Sequence, residues 1–506
     1  MKNPVTNRGT MRVMVANRGE IAVRILRTCR DLGIPSIAVY SDADRGALHT
    51  RYADEAVYIG PTPAAKSYLS IPAILEAARQ CHADAVHPGY GFLSENAMFA
   101  QAVEDAGMTY IGPRPEVLAL TGDKLAARRI AREAGLPVLP GPDTPLPHVM
   151  DLDLIDQVMY PVLVKATAGG GGRGIRLANS PDELEQMIEM ARREAEAAFG
   201  DDTVYLEPLV QRARHIEVQI LGDGEGKVLC LGERECSIQR RRQKLIEESP
   251  AYGLDEQQRL VIHRAAVRLG EALAYRSLGT VEFLLDSDQN FHFIEINPRI
   301  QVEHPVTEMV TGLDLVKEQL RLAAGRPLRF HQDQIKITGA AIEARVLAEQ
   351  PECDFIPATG EISYLKEPGG HGIRVDSALY QGMQITADYD SLLAKVVAYG
   401  ESRGIAILRL RRALQEFQIA GVDTDLEFLF HVVDSPPFIA GNFDTTFLES
   451  FCPAPEEQEQ VIIMERNAAL IAALMAHKQR NQQDKRPQQE SHWRMAAWRE
   501  QMGMSG

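Results

Sequence analysis

The first 125 residues alternate apolar runs of strand length with amphipathic runs of helix length. Strands are predicted at residues 11–16, 37–40, 83–87 and 108–112. After the first of these, Ile21, Ile25 and Cys29 recur on one face of a predicted helix. A strand, helix, strand order of this length favours a right-handed crossover between parallel strands. Residues 1–125 are therefore predicted to form one α/β domain with a parallel sheet.

The pattern changes at a proline-rich stretch, residues 137–147, which neither a helix nor a central strand tolerates. Beyond it, strands are predicted at residues 162–165, 174–177 and 204–207, with a helix that begins after Ser180. These elements predict a small α+β module within residues 126–209. Residues 210–452 contain many strands with alternating polar and apolar positions, and they are predicted to form the largest domain.

The last segment, residues 453–506, differs in composition from the rest. Prolines near its start interrupt the chain, and residues 456–477 have the pattern of a helix with an acidic first turn and a basic end. The remainder is rich in Gln and Arg and carries Trp493 and Trp498. Two interpretations stay open: a polar tail without fixed structure, and a segment that docks onto a partner protein.

Composition narrows the class of protein. Of the 506 residues, 45% are hydrophobic and 25% are charged, the balance of a folded globular protein. The formal charge of −16 opposes non-specific binding to nucleic acid. The sequence has no apolar stretch near the roughly 18 residues of a membrane span and no signal-peptide pattern at its start. We therefore expect a cytoplasmic protein that binds neither nucleic acid nor membranes.

The six cysteines form no Cys-x-x-Cys pair, so we expect reduced thiols and no zinc site.

Two strand patterns, at residues 281–285 and 291–296, flank a turn and carry acidic residues. A symmetric hairpin places Glu282 opposite Glu295, and Asn297 follows two residues later. Two facing carboxylates repel each other unless a cation lies between them, and oxygen ligands of this kind suit Mg²⁺. The pattern favours a metal site over its alternative, charges at a solvated rim.

The next segment, residues 298–305, alternates polar and apolar side chains. With a period of two, Arg299, Gln301 and Glu303 lie on one face of an extended chain. A guanidinium group can hold a planar oxyanion while a carboxylate accepts its proton, which suits a small substrate such as bicarbonate. An exposed polar face is the alternative interpretation.

Two further segments indicate phosphate binding. A glycine-rich run at residues 169–174 lies between predicted strands, so its backbone N–H groups can close over anionic oxygens, with Lys165 nearby. Residues 236–244 are densely basic without interleaved aromatic residues, which favours a polyphosphate over nucleic acid. A flexible linker and a solvated basic face are the respective alternatives.

Several of these segments together resemble the biotin carboxylase subunit of biotin-dependent carboxylases. The similarity spans about residues 11–450 and rests on motifs at residues 15–22, 87–96, 169–174, 295–308 and 389–391. The resemblance implies an ATP-grasp fold with α/β and α+β parts. In that fold a Rossmann-like N-terminal domain, a mobile lid and a C-terminal domain enclose the site.

The resemblance also implies ligands and the residues that bind them. ATP would be bound by Lys124, Lys165, Gly170, Gly171, Gly172, Glu207, Val210, His215 and Gln239. Mg²⁺, or Mn²⁺, would be bound by Glu282, Glu295 and Asn297. Bicarbonate would be held by Lys244, Arg299, Gln301, Val302 and Glu303. The implied catalytic residues are Lys244, Arg299, Glu303, as the base that deprotonates bicarbonate, and Arg345, which would stabilise the enolate of biotin.

The same resemblance implies that biotin reaches the site on another protein. The sequence has no Ala-Met-Lys-Met site for covalent biotin. We therefore expect two partners, a biotin carboxyl carrier protein and a carboxyltransferase subunit, and a homodimer. Two other hypotheses remain. One is a related ligase that activates a different carboxylate as an acyl phosphate. The other is a non-catalytic nucleotide-binding subunit, against which the intact Lys165, Glu282 and Glu303 argue.

Overall fold

The computed structural model describes residues 11–141, 143–148, 158–167 and 175–451. The described residues up to Ser450 belong to one compact unit. The predicted glycine-rich lid loop and the C-terminal segment lie outside the described residues. Among the helices that are described, none is long and apolar enough to cross a membrane. The described cysteines are free thiols, as predicted: Cys29, Cys81, Cys230, Cys236 and Cys353.

The N-terminal part is a five-stranded parallel sheet with helices in its crossovers. Its elements are β1 (Val13–Val15), α1 (Gly19–Asp31), β2 (Ser36–Ser41), α2 (Leu48–Tyr52), β3 (Glu55–Gly60), α3 (Ile71–Gln80), β4 (Ala85–His87), α4 (Ala97–Asp105) and β5 (Thr109–Tyr110). The strand order is β3-β2-β1-β4-β5, and each neighbouring pair is parallel, as predicted. Met14 packs into one hydrophobic core and Val13 and Val15 into another, so β1 is buried on both faces.

Two helices lead from this sheet to a small antiparallel one. They are α5 (Pro115–Gly122) and α6 (Lys124–Glu133), followed by β6 (Val162–Ala166), β7 (Ile175–Ala178), α7 (Pro181–Phe199) and β8 (Val204–Pro208). The Asp123 carboxylate accepts hydrogen bonds from the N–H groups of Leu125 and Ala126, so Lys124 begins a capped helix. β6 lies between β7 and β8, which buries Lys165 at the centre of the sheet.

The remaining chain forms the largest sheet and the helices around it. Its elements are β9 (Arg214–Asp223), β10 (Val228–Arg240), β11 (Gln243–Ser249), α8 (Glu256–Ala272), β12 (Arg276–Leu285), β13 (Phe291–Asn297), α9 (His304–Thr311), α10 (Leu315–Ala323), β14 (Ala340–Leu347), β15 (Glu349–Gln350), β16 (Ile356–Pro357), β17 (Gly360–Glu361), β18 (Tyr364–Lys366), β19 (Ile373–Ser377), β20 (Gln384–Ile385), β21 (Leu392–Gly400), α11 (Arg403–Glu416), β22 (Gln418–Ala420), α12 (Leu426–Asp434), α13 (Pro436–Ala440) and α14 (Phe447–Ser450). The large sheet is antiparallel throughout, in the order β13-β12-β9-β10-β11-β14-β21-β19.

The two faces of the large sheet differ in polarity, and this difference positions the site. Ile216, Val218 and Val281 point into the hydrophobic core that contains residues of α8. Side chains alternate between the faces of a strand, so Glu217 and Glu282 emerge on the opposite face. The predicted domain boundaries near residues 125, 209 and 452 stay predictions.

Candidate functional site

A β-bulge in the β12–β13 hairpin sets the position of two carboxylates. Phe283 pairs with Phe293, whereas Glu282 pairs with Glu295, so β13 accommodates Ile294 as one extra residue. The predicted pairing of Glu282 with Glu295 is confirmed. The bulge was not predicted. Without it, the ladder that pairs Phe283 with Phe293 would place Glu282 opposite Ile294 and would turn Glu295 to the other face.

Lys244, on β11, lies among three carboxylates. Its Nζ atom is 2.5 Å from Glu217 Oε2, 3.0 Å from Glu282 Oε1 and 2.6 Å from Glu303 Oε1. It also donates a hydrogen bond of 3.2 Å to Gln301 Oε1. Burial acts to lower the pKa of Lys244, but the charges of the carboxylates outweigh burial and raise that pKa well above its usual value. Lys244 is therefore positively charged.

Glu303 is held between two cations. Its Oε1 atom accepts a hydrogen bond from Lys244, and its Oε2 atom accepts one of 2.9 Å from Arg345 Nη2. Burial acts to raise the pKa of Glu303, but the charges of Lys244, Arg345 and Arg234 outweigh burial and lower it. Glu303 is therefore ionised, which is the form that can accept a proton.

The segment before Glu303 is not the extended strand that its period of two predicts. β13 ends at Asn297, residues 298–303 are irregular, and α9 begins at His304. The prediction is wrong because Pro298 has no N–H group to continue the ladder. Glu303 instead occupies the position just before a helix.

The irregular backbone still brings two of the predicted side chains together. Gln301 and Glu303 both bind Lys244. Gln301 Nε2 also donates a hydrogen bond of 3.1 Å to Glu282 Oε1. The predicted convergence of an amide and a carboxylate is therefore confirmed for this pair.

Arg299 binds different partners. Its Nε atom donates to Glu95 Oε1 at 2.5 Å, and its Nη2 atom donates to Asn297 Oδ1 at 3.1 Å. Glu95 belongs to the motif at residues 87–96, so Arg299 connects the N-terminal domain to the end of β13. Asn297 in turn donates a hydrogen bond of 2.9 Å to Glu282 Oε1. Arg299 thus reaches the carboxylates through Asn297.

Arg345, on β14, joins Glu303 to a further buried carboxylate. Its Nη2 atom is 2.5 Å from Glu247 Oε1 and 2.9 Å from Glu303 Oε2. Burial raises the pKa of Glu247 to about 7, and the charge of Glu303 acts in the same sense while the charge of Arg345 opposes it. The resemblance implied a role for Arg345, but nothing in the sequence indicated Glu247 as its partner.

Lys165 and Glu207 form a buried ion pair on the small antiparallel sheet. Glu207 also accepts a hydrogen bond of 2.9 Å from Arg128 Nη1. Burial lowers the pKa of Lys165, although the charge of Glu207 opposes this effect and the charge of Lys124 adds to it. Lys124 Nζ lies 3.9 Å from Glu295 Oε2. The charge of Lys124 thus acts on both Lys165 and the hairpin carboxylate Glu295.

His215 and Gln239, on β9 and β10, lie side by side. Gln239 Nε2 is 3.0 Å from His215 Nδ1, and His215 Nε2 is 3.0 Å from Glu282 Oε2. Val210 follows β8 by two residues and is partly exposed. Of the residues implied for ATP, His215 and Lys124 contact the hairpin carboxylates, and Gln239 contacts His215. Gly170, Gly171 and Gly172 lie outside the described residues.

The donor atoms at the hairpin suit a hard divalent cation. Glu282 and Glu295 offer carboxylate oxygens and Asn297 offers an amide oxygen, the ligands that Mg²⁺ prefers. Burial raises the pKa of Glu295, and the charge of Glu282 adds to this effect while the charge of Lys124 opposes it. A divalent cation here would relieve the repulsion, so these residues fit a Mg²⁺ site.

The basic segment at residues 236–244 is not one surface. Arg241 and Arg242 form the two-residue turn between β10 and β11, with φ angles of 49° and 67° that match a type I′ turn. Arg240 and Arg241 both pair with Asp354. Asp354 thus pairs with these two arginines, while Lys244 enters the carboxylate cluster. The phosphate-binding role of this segment stays a prediction.

Two residues that were not predicted from the sequence, Glu217 and Arg234, lie behind Lys244. Arg234 Nε is 2.5 Å from Glu217 Oε1, and both side chains are fully buried. An available signal was the alternation of His215, Glu217 and Gln219 with valine and isoleucine in a long strand. Polar side chains that alternate with core residues along a buried strand are costly to bury unless they are paired or functional.

Comparisons with known proteins agree with this geometry. Family models match as follows: the biotin carboxylase N-terminal domain at residues 9–118, the ATP binding domain of the carbamoyl-phosphate synthase L chain at residues 123–331, and the biotin carboxylase C-terminal domain at residues 343–450. The biotin carboxylase of Nostoc sp. is 51% identical over 439 residues, which cover 87% of this chain and 98% of that protein. Biotin carboxylase 1 of Bacillus subtilis is 48% identical over 442 residues, or 87% and 98% of the two chains.

A solved structure gives the same result. The biotin carboxylase domain dimer of Hydrogenobacter thermophilus 2-oxoglutarate carboxylase, in complex with MgADP, ADP and bicarbonate, is similar with a TM-score of 0.84 and 44% identity. The similarity covers 88% of this chain and 98% of that one. Fold and site thus define an ATP-dependent ligase with an ATP-grasp fold. The chain belongs to the biotin carboxylase family, and the predicted activity, the ATP-dependent carboxylation of biotin, is confirmed.

Proposed function

We propose that Glu303 is the base of this biotin carboxylase and that the surrounding side chains hold its substrates. The observation that carries the proposal is the position of Glu303, which is buried and ionised between Lys244 and Arg345. Lys244 also contacts Glu282, one of the two facing carboxylates that suit Mg²⁺. A base, two cations and a metal site thus converge on one small volume.

Bicarbonate is held next to the base in this proposal. Its ligands are Lys244, Arg299, Gln301, the backbone of Val302 and Glu303. A bound anion draws on the positive charge of Lys244, so that less of this charge acts on Glu303. The pKa of Glu303 therefore rises when bicarbonate binds, and Glu303 becomes a stronger base when its substrate is present.

ATP lies beside the hairpin carboxylates. Its described ligands in this proposal are Lys124, Lys165, Glu207, Val210, His215 and Gln239. Glu282, Glu295 and Asn297 hold Mg²⁺, which neutralises charge on the phosphate oxygens when bound. The buried ion pair of Lys165 with Glu207 keeps the ammonium group fixed for a phosphate oxygen.

The chemistry follows from these positions. Glu303 accepts the proton of bicarbonate while a bicarbonate oxygen attacks the γ-phosphorus of ATP, which yields carboxyphosphate and ADP. Carboxyphosphate then separates into CO₂ and phosphate. The phosphate accepts the ureido N–H proton of biotin, and Arg345 stabilises the enolate oxygen that forms. The ureido nitrogen attacks CO₂ and gives carboxybiotin.

The partners are part of the proposal. Biotin arrives on a separate biotin carboxyl carrier protein, a carboxyltransferase subunit uses the product, and residues 453–506 are a candidate contact with either protein. The similar Hydrogenobacter thermophilus domain is a dimer, which supports a homodimer here. A cytoplasmic location is also part of the proposal.

ADP release by the purified protein tests the proposed function. With Mg²⁺-ATP and bicarbonate, free biotin is expected to accelerate ADP release, and omission of bicarbonate is expected to abolish that acceleration. Both reactions are measured at the same ionic strength, because surface electrostatics depend on salt. ADP release that depends on neither bicarbonate nor biotin would contradict the proposal and favour a ligase for a different carboxylate.

A further inference from the structure

Lys395, on β21, connects the site to two motifs that supply none of the proposed substrate ligands. Its side chain is fully buried. The Nζ atom donates a hydrogen bond of 2.8 Å to the carbonyl oxygen of Val302, and it lies 3.1 Å from Glu20 Oε1 and 3.9 Å from Asp376 Oδ2. A buried ammonium group therefore ends on the backbone of the residue that precedes Glu303.

The large sheet places Lys395 beside Arg345. In the ladders of β21, Lys395 pairs with Arg345 of β14 on one side and with Asp376 of β19 on the other. Directly paired residues emerge on the same face. Arg345 binds the side chain of Glu303, and Lys395 binds the carbonyl group of Val302. Two neighbouring cations of one sheet thus hold two consecutive residues of the turn before α9.

The N-terminal domain holds Lys395 from the other side. Glu20, on α1, belongs to the motif at residues 15–22, and its carboxylate also accepts a hydrogen bond from the Tyr90 hydroxyl group. Tyr90 belongs to the motif at residues 87–96, and its ring centre lies 6.0 Å from Lys395 Nζ. A buried ammonium group without a counter-charge is strongly unfavourable. Glu20 is the nearer of two carboxylates, since Asp376 lies farther away and is also paired with Arg374.

We propose that Lys395 is a positioning residue for bicarbonate activation, and that Glu20 and Tyr90 keep it in place. The carbonyl group of Val302 and the N–H group of Glu303 lie in one rigid peptide plane. A fixed carbonyl oxygen therefore fixes the backbone of the base. This inference rests on the proposed function, in which Glu303 is the base and the Val302 backbone binds bicarbonate.

Two variants test the inference through substrate-specific kinetics. Lys395→Met removes the ammonium group and keeps an unbranched chain, so kcat/KM for bicarbonate is expected to fall by about tenfold to a hundredfold. The KM for ATP is expected to change by less than about twofold, because Lys395 contacts none of the proposed ATP ligands among the described residues. Glu20→Gln leaves the bond of Lys395 to Val302 in place, and a smaller decrease in the same constant is expected.

A matched control separates positioning from general stability. Arg403 is a partly buried cation of this part of the chain, and its Nε atom lies 2.7 Å from the buried Glu248 Oε2. Its other described hydrogen bonds go to the carbonyl groups of Phe438 and Ile439. Arg403→Met is expected to lower stability while kcat/KM for bicarbonate changes by less than about twofold.

The outcomes are distinct. A larger fall in kcat/KM for bicarbonate in Lys395→Met than in Arg403→Met, with the KM for ATP unchanged, supports the inference. A fall no larger than that of Arg403→Met, or an equal rise in the KM for ATP, overturns it. If Lys395→Met does not fold, the same two constants in Glu20→Gln decide. A wild-type protein without bicarbonate-dependent ADP release would overturn the proposed function itself, whereas normal wild-type turnover with either of those two results in the variant overturns only the role of Lys395.

Discussion

Two buried charge clusters on the large sheet differ in which sign of charge lies at the centre. At Lys244, one ammonium group binds three carboxylates. At Glu233, one carboxylate binds two cations, with Arg259 Nη1 at 2.6 Å and His263 Nε2 at 2.7 Å. The second cluster connects β10 to α8, and nothing in its geometry calls for a ligand.

Burial does not distinguish the two clusters, since Glu233 and Glu303 are 0% and 1% exposed. The difference lies in how the cations are shared. Arg259 and His263 pair with no other carboxylate among the described residues, so they belong to Glu233 alone. Glu303 also has a cation at each oxygen, but it shares one of them, Lys244, with Glu217 and Glu282. An anion that binds Lys244 therefore weakens the hold of Lys244 on three carboxylates at once.

The largest expected effect comes from Glu303, in the cluster that shares its cation. Glu303→Gln keeps the shape of the side chain but cannot accept the proton of bicarbonate. We expect bicarbonate-dependent turnover to fall by about 10²- to 10⁴-fold, with nucleotide affinity nearly unchanged. Steady-state kinetics and calorimetric binding of ATP measure the two quantities.

Glu248→Gln is the matched control for this prediction. Glu248 is also buried, and its partner is Arg403. Its substitution should affect the free energy of unfolding more than turnover. Turnover of Glu303→Gln within about tenfold of the wild type would show that Glu303 is not the base.

The cluster at Glu233 should respond in stability and not in activity. Burial acts to lower the pKa of His263, but hydrogen bonds with Cys230 and Glu233 and the charge of Glu233 outweigh burial and raise that pKa to about 10. A group whose pKa rises on folding stabilises the fold fully below its unfolded pKa, near 6.5, and loses this contribution as pH rises through about 10. His263→Gln should lower the free energy of unfolding by about 2–3 kcal/mol near pH 6 and by less above pH 10.

Denaturant unfolding of wild type and variant across this pH range measures the difference. In a Glu233→Gln background, the same His263→Gln substitution should cost less, and its pH dependence should shrink, because the counter-charge is gone. A cost that is constant with pH would mean that the charge of His263 contributes nothing, and the contrast between the two clusters would lose its basis.

The smallest expected effect concerns Glu295, which faces Glu282 at the proposed metal site. Glu295→Gln removes one charged ligand, so the Mg²⁺ concentration for half-maximal ADP release should rise by about tenfold. Asp288→Asn is the matched control, because Asp288 lies exposed at the turn of the same hairpin. An identical Mg²⁺ titration for Glu295→Gln and Asp288→Asn would exclude Glu295 as a metal ligand.

The sequence predicts best where the determinants are local. The parallel N-terminal sheet follows from short strands separated by helices, and the pairing of Glu282 with Glu295 follows from the length of one turn. The irregular course of residues 298–303 could not be predicted in this way, because a period of two persists in the side chains after Pro298 has ended the ladder. Local patterns therefore fix pairings within a hairpin but not the path of the chain beyond it.

The centre of the site depends on contacts between distant strands. Lys244 meets Glu217 from β9 and Glu303 from the turn before α9. Arg345 and Glu247 meet through the ladder of β11 with β14, which pairs residues almost a hundred positions apart. No periodicity in one sequence encodes such pairings, so the resemblance to a family could supply Arg345 while its partner Glu247 stayed hidden.

Because of the bulge at Ile294, the two strands of the hairpin differ in their tolerance of a deletion. β12 pairs with β9 in continuous register, so the loss of a residue from β12 would move Glu282 toward the hydrophobic core. β13 has one residue, Ile294, that pairs with no residue of β12. Deletion of Ile294 would leave Phe293 opposite Phe283 and Glu295 opposite Glu282. The two carboxylates can therefore keep their pairing through a deletion in one strand that would separate them if it occurred in the other.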